Sequence, residues 1–356
     1  MRINLRNVRS SAVGDVMKLQ RILLTLLLCV AGAAERPTKD EQSWRKRRAQ
    51  ILSSMQKVMG PLPDGAASPP AVTVLDEVSF PQFIRRKIEF ASGDGDRVPA
   101  YLFLPRPAKL RGPAMLCLHQ TVAIGKGEPA GIGGKPNLHY GVELAERGYV
   151  VLAPDYPNFG DYKIDAYSLG YASATMKGIR NHRRAVDLLV SLPEVDPRRI
   201  GVIGHSLGGH NSLFLAAFEP RIGAVVTSCG FTSFRKYYGG DLTGWSHAGY
   251  MPRIATVYGK SPERMPFDFS DVLFAIAPRP VFINAPLHDQ NFEWTGVDDC
   301  LRSAQPVYAR IFHAPSGLQV VHPDCAHDFP PDIRNRAYEF LDRSLAPTAA
   351  LKSAHD

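Results

Sequence analysis

Gly204-His205-Ser206-Leu207-Gly208 decides how this chain is read, because its flanks carry as much information as its letters. A G-x-S-x-G pentapeptide arises by chance in many proteins. Here Arg199-Ile200-Gly201-Val202-Ile203, a short apolar run behind the turn-like Asp196-Pro197, leads into it. Gly209 to Phe218 follows, with the composition of a buried helix. Strand, sharp turn and helix form the setting that lifts a serine hydroxyl to the end of a sheet. Such a serine takes a positive φ, and only neighbours without a Cβ let strand and helix close tightly around it. The competing reading, a Gly-rich turn with a structural serine, leaves that context unexplained.

A nucleophilic serine needs a base and a group to orient the base, since its hydroxyl is inert at its free pKa. In strand-turn-helix sites of this kind the order along the chain is serine, acid, histidine. His327, in Cys325-Ala326-His327-Asp328-Phe329-Pro330, follows the apolar run Leu318-Gln319-Val320-Val321 and precedes a helix-like stretch from Ile333 to Leu345. That loop is where the base belongs. His322 is the rival, but it stands at the strand end directly before Pro323 and reads as structural. The acid is expected after the preceding strand, Arg279 to Pro286, whose loop is Leu287-His288-Asp289-Gln290-Asn291. Asp289 is therefore the choice. Asp298 and Asp299 are expected to open the next helix, where carboxylates favour the positive end of the dipole. Asp324 and Asp328 flank the histidine and are expected to point elsewhere if it points inward.

With these segments the chain resembles an α/β-hydrolase, and within that superfamily the dienelactone-hydrolase and acetyl-xylan-esterase-like branch of secreted bacterial esterases. The resemblance runs from about Phe83 to Leu345 and is carried by four segments. They are Leu118-His119-Gln120-Thr121, Gly148 to Tyr156, the serine elbow, and Cys325 to Pro330. It implies a serine esterase with Ser206, Asp289 and His327 as catalytic groups and with no metal or cofactor. Many relatives have His-Gly where this chain has His119-Gln120. The oxyanion hole should use the backbone N–H of Leu207 and one from this loop, Gln120 or Thr121. Sugar esters of plant cell-wall polysaccharide, such as acetylated xylan, are the substrates, small or polymeric, that the resemblance and the export signal imply. The elbow with its extra Gly209 also resembles that of prolyl-oligopeptidase-type serine peptidases. The roughly eighty residues ahead of the hairpin at Phe83 cannot build the several-bladed propeller those enzymes carry.

Composition is that of a soluble globular enzyme, 45% hydrophobic and 21% charged over 356 residues. Met17-Lys18-Leu19-Gln20-Arg21, the apolar Ile22 to Val30 and the small Ala31-Gly32-Ala33 read as the three regions of an export signal. The apolar run is short for a membrane span, so no stable span is expected in the mature chain. A lipoprotein site at Cys29 is the alternative, opposed by the bulky Leu28 before it. Export to the periplasm or beyond is the expectation. Residues up to Ala33 account for +4 of the net charge of +8, leaving a mildly basic mature protein and no inference toward nucleic acid. Cys117 and Cys229 read as packed core thiols, while Cys300 and Cys325 could pair in an oxidising compartment. Their spacing shows neither a zinc pattern nor a redox motif.

Apolar strands alternating with helical stretches predict one α/β domain, a mostly parallel sheet with helices on both faces. The expected organisation is an export segment over 1–33, a leader helix and linker over 34–70, a catalytic domain over 71–346 and a tail over 347–356. A hairpin around Gly93-Asp94-Gly95 opens the catalytic domain. The Gly-rich stretch Ala123 to Lys135 lacks the strand-to-helix setting of a phosphate loop and reads as a mobile rim. A cap insertion is expected at about 231–269. Its Tyr237, Tyr238, Trp245, Tyr250 and Tyr258 either stack on sugars or pack the cap onto the body. Lys177, Arg180 and Arg183 are expected on a solvated helix face.

Overall fold

The computed structural model describes residues 38–64, 68–107 and 111–347. The residues expected to form an export segment, the tail beyond residue 347 and part of the linker lie outside the described residues. Ser43–Asp356 form one compact unit; Met1–Gln42 form another, of which only residues 38–42 are described.

Helix α1 (Lys39–Met59) buries Ile51, Met55, Val58 and Met59, a spacing that puts them on one face. Its Trp44 Nε1 donates to Phe274 O, and Arg48 donates to the carbonyls of Ala275 and Ala217. The leader is thus docked on the body from Ser43 onward. Strands β1 (Val72–Ser79), β2 (Phe83–Ala91) and β3 (Arg97–Pro105) form an antiparallel meander, which includes the expected hairpin. β1 is an addition the sequence reading did not single out. All eight of its residues are exposed, so no burial pattern marks it.

The remaining strands are β4 (Gly112–Leu118), β5 (Val150–Pro154), β6 (Val195–His205), β7 (Ile222–Ser228), β8 (Val281–Asn284) and β9 (Leu318–Val321). The sheet order is β1-β2-β3-β5-β4-β6-β7-β8-β9, and every neighbouring pair from β5 to β9 is parallel. Helices α2 (Tyr140–Glu146), α3 (Ala174–Ser191), α4 (Leu207–Phe218), α5 (Arg253–Thr256), α6 (Phe269–Ile276), α7 (Trp294–Pro306) and α8 (Pro331–Ser344) fill the connections. β5 and β8 are buried along their whole length, as strands covered on both faces must be. Strand order reverses around β4, which opens a crevice at the C-terminal ends of the strands.

Two expectations fail here for one physical reason, the burial of charge in pairs. Lys177 and Arg180 on α3 face inward. Lys177 is fully buried and reaches Asp94 at 2.9 Å and Asp96 at 2.8 Å in the β2–β3 turn. Arg183 is largely covered as well and lies 3.5 Å from the buried Glu219. Half of the Gly-rich rim is likewise packed, residues 125–130 being buried while 131, 132, 134 and 135 stay exposed. Lys126 is buried against Asp155 at 2.6 Å, and a Cβ at Gly125 would come within 2.3 Å of the same carboxylate. No helix among the described residues is long and apolar enough to cross a membrane.

Candidate active site

Ser206 sits between β6 and α4 with φ 52° and ψ −115°, in the left-handed region that disfavours a residue with a side chain. The strain is held by its surroundings. Its N–H donates to Ser228 O at 2.8 Å and its carbonyl accepts from His210 N–H at 3.1 Å. A Cβ at Gly208 would lie 1.9 Å from Leu118 O, and one at Gly204 would lie 2.2 Å from Gly208 O. The flanking glycines are therefore required by the close approach of β4, β6 and α4. From Gly201 to His210 only Ser206 is more than marginally exposed.

The loops after β8 and β9 bring Asp289 and His327 together. His327 Nδ1 lies 3.0 and 2.9 Å from the two Asp289 oxygens. A carboxylate only accepts, so in the neutral ring Nδ1 carries the proton and Nε2 keeps its lone pair. Asp289 is buried and is aimed by two further donors, the N–H groups of Asn291 at 2.8 Å and Phe292 at 3.2 Å. The His327 ring lies 4.7 Å, centroid to centroid, from the ring of His205, the residue before Ser206. Among the described residues Ser206 Oγ itself makes no hydrogen bond.

The rivals are placed elsewhere. His322 is held by Ala285 O at 2.7 Å and Asp298 at 3.1 Å. Asp298 and Asp299 occupy the second turn of α7 and do not open the helix; Asp299 pairs with Lys236 and Arg302. Asp324 meets His288 at 2.7 Å and Asp328 accepts from Asn137 at 2.6 Å, so neither carboxylate is the partner of the His327 imidazole.

Beside the serine, the N–H groups of Leu207, Gln120 and Thr121 have no acceptor among the described residues. His119 fixes the β4 loop. Its Nδ1 donates to Gln120 O at 2.6 Å and its Nε2 accepts from Tyr156 N–H at 2.9 Å. Burial lowers the His119 pKa, in keeping with a neutral ring. His205 is depressed further, first by burial and then by the neighbouring His327.

Trp245 is buried, and its ring meets those of Phe234, Tyr237, Phe269, Phe292 and His210. For Trp245 the packing reading holds. Tyr238 stays 58% exposed. Tyr250, whose hydroxyl is 2.9 Å from Thr121 Oγ1, ties the cap to the β4 loop, and no motif announced that link. Cys300 and Cys325 are both free thiols.

The α/β-hydrolase family model matches residues 135–353, and the chain belongs to that family. YtaP of Bacillus subtilis is 28% identical over 312 residues, spanning 84% of this chain and the whole of that one. Among solved structures, a glucuronoyl esterase from Solibacter usitatus superposes with a TM-score of 0.67 at 17% identity. The match covers 88% of this chain and 96% of that one. Acetyl xylan esterase 1 from Thermoanaerobacterium gives 0.57 at 18% identity, covering 87% and 95%. Identities this low establish the shared fold.

Proposed function

We propose that the chain is an exported serine esterase that cleaves ester groups carried by saccharides. The observation that carries this reading is the buried Asp289 carboxylate gripping Nδ1 of His327 beside the strained Ser206 elbow. Ser206 Oγ attacks the ester carbonyl carbon while His327 Nε2 takes its proton. The tetrahedral oxyanion is met by the N–H of Leu207 and by that of Gln120 or Thr121. Its collapse breaks the carbon–oxygen bond, and the imidazolium returns the proton to the departing alcohol. Water then attacks the acyl-serine by the same route and frees the acid. Asp289 holds the tautomer and stabilises the imidazolium without taking the proton. The hydrogen bond from Ser206 to His327 forms as substrate binds, since such contacts are commonly loose in an unliganded site.

The saccharide substrate class is supported by the fold shared with glucuronoyl and acetyl xylan esterases. Export is supported by the sequence of residues 17–33. A panel of 4-nitrophenyl acetate, acetylated xylan, a glucuronoyl ester and proline-containing peptide anilides tests both parts. Hydrolysis of the esters with negligible anilide cleavage is expected, because an ester needs less protonation of its leaving group than an amide does. Fast anilide cleavage with slow ester turnover would move the chain to the peptidase class.

A further inference from the structure

His205, Cys229 and His327 come from three separate segments, the ends of β6 and β7 and the loop after β9. Each offers one donor atom, and the three atoms lie within 4.8 Å of one another. Cys229 holds a positive φ of 47° just past β7, its N–H is tied to Asn284 O at 2.8 Å, and its thiol donates to Asp328 O at 3.4 Å, which together place the sulfur. Two observations separate this cluster from a chance gathering. First, the fully buried His205 gives only Nδ1 a partner, Ser228 Oγ at 2.9 Å, and its Nε2 has none. Second, His327 Nδ1 is committed to Asp289, which leaves its Nε2 free. Metal-binding histidines ordinarily have one ring nitrogen held by such a partner and the other aimed at the ion.

We infer that His205, Cys229 and His327 form a binding site for a soft divalent cation such as Zn²⁺ or Cd²⁺, and that occupancy switches the hydrolase off. A thiolate with two imidazoles is a donor set that selects zinc-like ions over magnesium or calcium. Bonds of about 2.0–2.3 Å in a tetrahedral site place donors roughly 3.3–3.8 Å apart. From separations of up to 4.8 Å the cluster therefore needs to contract by about 1–1.5 Å. His327, on a loop and partly exposed, can supply that movement, and it also gives the ion a way in. Three protein ligands leave a fourth position for water. On binding, the Cys229 thiol loses its proton to solvent and its sulfur bonds to the ion, with no change of oxidation state. His327 Nε2 is then occupied and can no longer take a proton from Ser206. Metal binding itself does not depend on the esterase reading.

The test uses the whole protein and Co²⁺ as a coloured substitute for Zn²⁺. One equivalent should give an intense thiolate-to-cobalt absorption band in the wild type and in Ser206→Ala, and excess Zn²⁺ should abolish it. The band should be lost in Cys229→Ser and in Cys229→Ala and kept in Cys325→Ser. Zn²⁺ should inhibit 4-nitrophenyl acetate hydrolysis over the same concentration range, reversibly with a chelator. At least tenfold more should be needed in whichever Cys229 variant folds. No thiolate band in the wild type, or inhibition equally strong without the Cys229 thiol, would overturn the proposal. A band on a protein that hydrolyses no ester would uphold the metal site and refute the esterase reading.

Discussion

At the C-terminal ends of β6, β8 and β9, polar groups are held in strain or left with spare capacity; beneath the β2–β3 turn, buried charge is matched at once. Ser206 keeps a left-handed backbone and an uncommitted hydroxyl, and His327 has one nitrogen bound and one open. Lys177, by contrast, is fully buried yet meets two carboxylates, while Tyr162 and Tyr171 donate to those same Asp96 and Asp94 side chains. Both regions bury polarity, but only the first leaves something for a substrate to use. Strain and unfilled valence at a strand end mark chemistry, whereas a closed network marks architecture.

The largest difference should appear when one residue from each region is removed. His327→Ala should lower kcat on 4-nitrophenyl acetate by about 10⁴-fold or more, since the elbow loses its base. Its unfolding midpoint should scarcely move. Asp289→Asn should fold and lose about 10³- to 10⁴-fold in kcat through misorientation of the imidazole. Asp298→Asn, at a carboxylate that pairs with His322, should stay within a few-fold of wild type. Equal damage from the two asparagine variants would erase the distinction between the two histidine–aspartate pairs.

The architectural region should answer in stability. Lys177→Met leaves Asp94 and Asp96 without their shared cation, and breaking such a pair costs about 3 kcal/mol or more. Urea unfolding should show that loss, while kcat of the folded fraction holds. A large kcat effect with unchanged stability would mean that the network serves the site directly.

At neutral pH the smallest effect is that of two buried histidines, which acts only as the pH falls. Burial pushes His182 and His210 down to about 3. In the unfolded chain both return to about 6.5. Below that pH the unfolded state binds protons that the folded state refuses, so stability falls with pH between about 6.5 and 3. Above 6.5 these two groups contribute no slope. His210→Gln should make the acid limb of stability against pH shallower by about one proton.

The candidate site was legible in the sequence because its parts are local. Each of Ser206, Asp289 and His327 follows its own apolar strand within a few residues, and the elbow glycines are contiguous with the serine. The hidden features depend on distance. Nothing near Lys177 points to partners 83 and 81 residues earlier in the chain, and a run of basic residues at helical spacing ordinarily reads as a wet surface. The Gly-rich rim reads as loose until Asp155, 29 residues beyond Lys126, is placed under it. Strand β1 is exposed along its length, so it lacks the alternation that betrays a half-buried strand. The cluster at Cys229 is invisible for the same reason, its three donors lying on segments joined only by the fold.

The central claim is that the strained elbow presents a nucleophile. A fluorophosphonate probe followed by peptide mapping tests it most directly, because the reagent reacts with a serine only where a base and an oxyanion site activate it. A single adduct on Ser206 is predicted, absent from Ser206→Ala and strongly slowed in Asp289→Asn. Labelling at Ser212 or another serine, with Ser206→Ala still turning over ester, would contradict the account.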